Sequence, residues 1–124
     1  MLGSERSKVT AKILIEIGAI NFSLLSPFKL SSGFLSPSYI DCRKIMAYPS
    51  AFKAITNMMI DTINSDMAPH PPSYIIGGET AGIPFATVIA EKMDLPLSYV
   101  RKKPKNHGKN KLIEGEILTG KNSL

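Results

Sequence analysis

Apolar positions along the chain first repeat at helical spacing. Val9, Ile13 and Ile17 stand four residues apart, Ser4 offers an N-cap ahead of them and Gly18 a C-terminal stop, so residues 4–17 are expected to form a helix. Ile20 to Leu25 is apolar and expected to be extended. Pro27, Ser31, Ser32, Gly33, Ser36 and Pro37 then punctuate a turn-rich segment, after which Tyr39-Ile40-Asp41 reads as a short strand. A second helix is expected to start near Pro49-Ser50, since proline is favoured in a first turn. Phe52, Ile55, Met59 and Ile63 would be its buried stripe, and methionines at this spacing belong to a core and not to a ligand site. Residues 64–72, with Pro69, Pro71 and Pro72, read as a loop.

The next stretch decides the fold class. Tyr74-Ile75-Ile76 is a short apolar run ending in Gly77-Gly78, the form of a buried parallel strand. Glu79-Thr80-Ala81-Gly82 follows, then a helical pattern from Ile83 to Lys92 opened by Pro84, then a second apolar run from Leu95 to Val100. Strand, glycine turn, helix and strand make a βαβ unit, so the protein is expected to be α/β with an at least partly parallel sheet. Leu112 to Leu118 is expected to form a short hairpin arm or loop edge, and Gly120-Lys121-Asn122 a turn leading into a strand.

Length and composition narrow the class further. The 124 residues suit one compact domain, and 44% apolar with 20% charged residues is ordinary globular composition. No apolar run has the length to cross a bilayer, and the N-terminus lacks the charged-then-apolar order of a secretion signal. A single cysteine, Cys42, cannot form an internal disulfide, which fits a reducing compartment, with the cytoplasm as the expectation. Two histidines and one cysteine, far apart in sequence, do not make a zinc site, and no residue is assigned as a protein metal ligand. The net charge of +5 is concentrated: 6 of the 15 basic residues lie between Arg101 and Lys111, leaving 9 against all 10 acids, a remainder of −1. Such a local cluster suits a compact polyanion such as a phosphate ligand better than a nucleic acid backbone, and a solvated basic loop is the plain alternative.

Three places could carry chemistry. Gly77 to Gly82 lies between a strand and a helix, where glycines let the backbone turn sharply and offer N–H donors beside the positive end of a helix dipole. It lacks the Gly-Lys-Ser/Thr of a P-loop and the dinucleotide fingerprint, so a packing turn explains it equally well. Arg101-Lys102-Lys103-Pro104-Lys105-Asn106-His107-Gly108 leaves the carboxyl end of the next strand, the edge of an open α/β sheet where ligands bind, and its arginine and lysines could surround a polyphosphate. Ser32 to Asp41 puts a tight turn beside Phe34 and Tyr39; it could hold a flat anionic heterocycle, or be a structural turn with core aromatics. His70 sits in the proline loop and reads as exposed.

Taken in order, these segments resemble a family. Gly18-Ala19-Ile20, the Ser-Gly-x-x-Ser-Pro-x-Tyr-Ile-Asp run from Ser32 to Asp41, Gly77 to Pro84, the Arg-Lys-x-x-Lys-x-His-Gly run from Arg101 to Gly108, and Ile113-Glu114-Gly115 are similar to orotate phosphoribosyltransferases. The likeness covers nearly the whole chain from about Lys12, and Tyr-Ile-Asp-Cys-Arg-Lys with Gly-Gly-Glu-Thr-Ala-Gly-Ile-Pro looks like one bacterial branch. The resemblance implies a type I phosphoribosyltransferase-like fold: an N-terminal helix and hood over residues 1–48, and the start of an α/β core over 49–124 with a mobile basic loop at 101–115. Together they would be one incomplete domain. It implies transfer of phosphoribosyl from phosphoribosyl pyrophosphate to orotate, in pyrimidine synthesis, with Mg²⁺ bound alongside the substrate. Ser36, Tyr39, Ile40 and Asp41 would hold orotate; Gly78, Glu79, Thr80, Ala81 and Gly82 would face pyrophosphate. Arg101, Lys102, Lys105 and His107 would bind its oxygens, with Arg101, Lys105 and His107 in catalytic roles. The intact family implies a homodimer that exchanges this loop, without nucleic acid or membrane.

Two residues depart from the family pattern: Ser31 and Ala81 stand where many members carry lysine. The family's loop for the ribose 5′-phosphate, an apolar strand followed by paired acids and a Thr/Gly/Ser-rich turn, is not among these residues. A non-catalytic or regulatory homologue that keeps the ligand loops is the alternative function, and a nucleic acid binder acting through 101–111 a third. The isolated chain is expected to be marginally stable and to leave orotate unconsumed when mixed with phosphoribosyl pyrophosphate and Mg²⁺, unless a second polypeptide supplies the rest. Orotate absorbance followed on the purified chain measures this, and turnover would refute the expectation.

Overall fold

The computed structural model describes residues 3–104, 111–116 and 119–124. The chain divides into two compact units, Met1–Ile55 and Thr56–Leu124. Among the described residues no helix is long and apolar enough to cross a membrane.

The first unit opens with helix α1, Gly3–Glu16, one residue earlier than the capping pattern suggests. The chain leaves it through Gly18 at φ +65°, a conformation that costs glycine little. Ile13, Leu14 and Ile17 are half-buried, whereas Val9, expected on the same face, is 36% exposed. Four short strands follow: β1 (Ile20–Phe22), β2 (Phe28–Lys29), β3 (Leu35–Ser36) and β4 (Ser38–Ile40). The turn-rich segment is thus a hairpin within a hairpin. β1 pairs antiparallel with β4, matching Ile20 to Ile40, and β2 with β3, matching Phe28 to Ser36. Gly33, at φ +89°, closes the inner turn, its amide donating to Leu30 O at 2.9 Å. Residues Cys42–Ala47 then wind as a 3₁₀ helix that the sequence pattern did not signal.

Helix α2 runs Pro49–Asp66, starting at the proline as expected, and the boundary between the units falls within it. In the second unit come β5 (Ile75–Gly78), α3 (Gly82–Met93), β6 (Leu97–Val100) and β7 (Ile113–Glu114). β5 and β6 are parallel, joined by α3 as the expected βαβ unit, and β7 pairs antiparallel with β6. On the other edge of β5, Asn122 to Leu124 run parallel to it: Ser73 N donates to Asn122 O, Leu124 N to Tyr74 O and Ile76 N to Leu124 O, all at 2.8–3.0 Å. The turn at Gly120 therefore leads into an extended segment, as its residue types suggest.

The core of this unit joins Ile63, Ile75, Ala86, Ile89 and Ala90, with Ile60, Met67, Met93, Leu95 and Leu97 packed against it. From α2, Ile60 and Ile63 face this core, with Met67 just past the helix end, and Thr56 is fully buried one turn before Ile60. Of the expected stripe, Ile55 and Ile63 are buried and Phe52 is half-buried, while Met59 is left 40% exposed. The alanines of α3 let the helix approach β5 closely. A Cβ on Gly77 would lie 3.0 Å from the Ala86 Cβ and 3.2 Å from the Ile83 Cα, so glycine is needed there by proximity to a helix.

At the far side of β6, Tyr74, Ser98 and Glu116 form a buried polar knot. The Tyr74 hydroxyl bonds to Ser98 Oγ and to the Glu116 carbonyl, and Ser98 Oγ donates to that carbonyl at 3.1 Å. Gly115, at φ +103°, passes over Ser98; an added Cβ there would collide with Ser98 Oγ and sit 3.2 Å from Ser98 Cβ. Gly120, at φ +77°, has no heavy atom within 4 Å of the same added carbon. Gly115→Ala is accordingly expected to cost more than the roughly 1–3 kcal/mol of left-handed backbone alone, and Gly120→Ala no more than that range. Urea midpoints of the two variants, compared with the parent, measure the difference.

Candidate functional site

The sequence-predicted residues fall in both units. In the first, β4 presents Ser38, Tyr39 and Ile40 just after Pro37. Ser36 locks the approach to it, its hydroxyl donating to Ser38 O at 2.7 Å and accepting from Ser38 N at 3.2 Å. The Tyr39 ring packs tilted against Phe28, centroids 5.8 Å apart. Phe34, a core aromatic only if the turn is purely structural, is 74% exposed: the inner hairpin turn carries it outward. Ile40 is 52% exposed.

Asp41 and Arg43 organise the end of this strand. The Asp41 carboxylate accepts from Arg43 N at 3.2 Å and from Arg43 Nε at 3.1 Å, so one oxygen caps the 3₁₀ helix and aims the guanidinium. Arg43 Nη2 then donates to the Tyr39 hydroxyl at 3.1 Å. The hydrogen bond and charge of Asp41, with a smaller contribution from Tyr39, raise the Arg43 pKa above the ordinary arginine value. Arg43 was not singled out from sequence. The available signal was its spacing, two residues after the aspartate and four after the tyrosine. The result is an exposed corner of aromatic ring, hydroxyl and fixed cation, chemistry that suits a flat anion.

In the second unit, the parallel register matches Gly78 with Val100, so the turn after β5 and the segment after β6 leave the same end of adjacent strands. Glu79 N donates to Val100 O at 2.8 Å, and Ile83 N to Thr80 O at 3.3 Å. The Glu79–Thr80 peptide is cis. Ala81 caps α3 without a side-chain hydrogen bond, and Gly78, Thr80 and Ala81 are exposed, so backbone donors and the positive helix end border solvent.

Arg101 N donates to Leu112 O at 2.7 Å, joining the two ends of the basic run. The Arg101 guanidinium turns back toward carboxylates: Nε lies 4.0 Å from Glu79 Oε2 and Nη1 3.6 Å from Glu114 Oε1, while Nε donates to Lys103 O at 3.4 Å. Lys102 and Lys103 are exposed. Lys105 and His107 lie outside the described residues. Glu114, quoted in the family motif without a role, thus belongs to the strand-end arrangement. Among the described residues no three His, Cys, Asp or Glu side chains gather as a metal site.

No family model matches the sequence. The orotate phosphoribosyltransferase of Roseobacter denitrificans is 46% identical over 120 residues, 97% of this chain and 53% of that protein. Over nearly its whole length this chain is similar to orotate phosphoribosyltransferases. It spans about half the length of the curated relatives it matches. Among solved structures, the orotate phosphoribosyltransferase of Aeropyrum pernix aligns at 34% identity and TM-score 0.63, over 74% of this chain and 52% of that one. The Mycobacterium tuberculosis orotate phosphoribosyltransferase in complex with inorganic phosphate aligns at 25% identity and TM-score 0.60, over 98% of this chain and 63% of that one. The α/β arrangement, with β5 and β6 parallel, is that of the type I phosphoribosyltransferases.

A pH experiment checks the Asp41–Arg43 corner. A raised pKa contributes stability that is complete below the unfolded value and is lost only as pH climbs through the folded one, here beyond the ordinary arginine range. Replacing Arg43 by glutamine is therefore expected to lower the melting temperature by the same small amount at about pH 6 and about pH 9. A difference that shrinks across that interval would contradict the assignment.

Proposed function

We propose that this chain carries the orotate side and the pyrophosphate side of an orotate phosphoribosyltransferase. The carrying observation is the pairing of Gly78 with Val100 in parallel register, which sets a glycine turn and helix N-terminus beside a run of cations at one sheet edge. The kinship with orotate phosphoribosyltransferases supplies the reaction. A ring nitrogen of orotate forms the new bond to the ribose anomeric carbon while the bond from that carbon to pyrophosphate breaks, and the bonding electron pair departs with the leaving group. Negative charge grows on the pyrophosphate oxygens as positive charge grows on the sugar, so catalysis is positioning plus stabilisation of the leaving anion.

In this reading Gly78, Glu79, Thr80, Ala81 and Gly82 border the pyrophosphate, with backbone N–H groups as donors. Arg101 and Lys102 supply positive charge, and Lys105 and His107 extend it. Ser36, Tyr39, Ile40 and Asp41 take orotate, and Arg43 adds a cation beside Tyr39 in a chain whose position 31 is serine. Mg²⁺ would arrive on the phosphates of the substrate, as an ion that keeps several waters and few protein ligands does. The acting unit is a homodimer that exchanges the basic loop, and the compartment is the cytoplasm, consistent with a lone exposed thiol at Cys42.

Calorimetric titration tests the reading directly. Inorganic pyrophosphate is expected to bind the chain and to lose about tenfold in affinity with Arg101→Ala, as when a charged hydrogen-bond partner is removed. Orotate is expected to bind the parent and to bind Tyr39→Ala more weakly. If neither ligand binds the folded parent, the proposal fails.

A further inference from the structure

The pyrophosphate reading treats Arg101 as an available cation, yet the structure has it engaged. We propose that Glu79 and Glu114 are positioning residues for Arg101, holding its guanidinium back in the anion-free protein and yielding it when pyrophosphate arrives. The inference rests on the pyrophosphate reading of the strand ends and adds two acidic residues to it.

The three side chains come from the ends of three neighbouring strands of one sheet. Glu79 begins the turn after β5, Arg101 follows the last residue of β6, and Glu114 ends β7. Backbone pairing sets them side by side. Gly78 is matched with Val100, Val100 with Ile113, Glu79 N bonds to Val100 O, and Arg101 N bonds to Leu112 O. The guanidinium reaches one carboxylate on each side, 4.0 Å to Glu79 and 3.6 Å to Glu114, and its Nε also donates to Lys103 O. The guanidinium thus stands between two carboxylates at the start of a segment that is otherwise basic. A polyanion therefore meets exposed Lys102 and Lys103 first, while Arg101 is still neutralised.

Partial exposure makes the hold reversible. The side chains of Arg101, Glu79 and Glu114 are 29%, 26% and 27% exposed. Water can solvate either carboxylate once the guanidinium leaves, so release does not strand a buried charge. A pyrophosphate gives the same guanidinium paired, charge-assisted bonds from planar N–H groups to phosphate oxygens, a better match than two carboxylates approached at 3.6–4.0 Å. The acids thus act through Arg101: they set its resting place and subtract from the affinity of the anion it serves.

The test joins a ligand-free readout to a binding cycle. In the parent chain the Arg101 guanidinium resonances should be visible and slow to exchange without any anion, and the Nη resonances, on the side of the Glu114 contact, should become fast-exchanging in Glu79→Gln/Glu114→Gln. Calorimetry with inorganic pyrophosphate should show Glu114→Gln and Glu79→Gln each binding about two- to fivefold tighter than the parent, the scale of a partly exposed ion pair. In an Arg101→Gln background the same substitutions should give no gain. A gain that persists there comes from the removed negative charge acting directly on the anion, and overturns the proposal. Unchanged or weaker binding in folded glutamine variants overturns it too, as do freely exchanging Arg101 guanidinium resonances in the parent. If Glu114→Gln does not fold, Glu79→Gln on the turn carries the test. A parent that shows the protected resonances but binds no pyrophosphate defeats the pyrophosphate reading and the release with it. That result differs from failure of the hold alone, where the parent binds and the gain is missing.

Discussion

The parallel pairing of β5 with β6 requires a crossover, and the crossover helix α3 must lie against the strands it connects. Ile75, Ala86, Ile89 and Ala90 form that contact, and its closeness depends on small residues: two alanines on the helix and Gly77 on the strand. Burying these apolar surfaces drives the arrangement, at about 25 cal/mol per Å² removed from water. Everything at the proposed pyrophosphate site inherits its position from this packing. The strand ends fall level, the turn Glu79-Thr80-Ala81 opens beside Arg101, and the first turn of α3 faces the same way.

Placed by that frame, the charges do not act as a plain basic patch. The run from Arg101 to Lys111 is strongly positive in sequence, but its first member is held between Glu79 and Glu114. β7 makes this possible, because its antiparallel pairing returns the chain to β6 with Glu114 opposite Tyr99. Gly115 then lets the backbone pass over Ser98, and the bonds joining Tyr74, Ser98 and Glu116 tie that return to β5 and β6. A structural knot on one side and an ion-pair cluster on the other share one short strand.

The first unit solves a smaller problem with local means. Two nested antiparallel pairs are too short to be stable by backbone bonds alone. Side chains supplement them: Ser36 to the Ser38 backbone, Asp41 to the start of the 3₁₀ helix, and Lys44 Nζ to Gly18 O at 2.8 Å. The same Asp41 carboxylate that caps the helix also aims Arg43 at Tyr39, so a folding contact also shapes the corner proposed for orotate.

Local signals in the sequence were sufficient for the elements that depend on local physics. Pro49 marks the first turn of α2, and the glycine turn between two apolar runs marks the βαβ unit. The family motifs, read in order, pointed to the orotate phosphoribosyltransferases. Tertiary structure decided whatever depends on which distant residues meet. The core adds Ile60 to the expected Ile63 from α2 and leaves Met59 exposed, Phe34 rides outward on a hairpin, and Arg101 finds two partners among ten acids. Periodicity names a helix without naming the face that finds the core. A charge in sequence likewise carries no record of the carboxylates that strand register brings beside it.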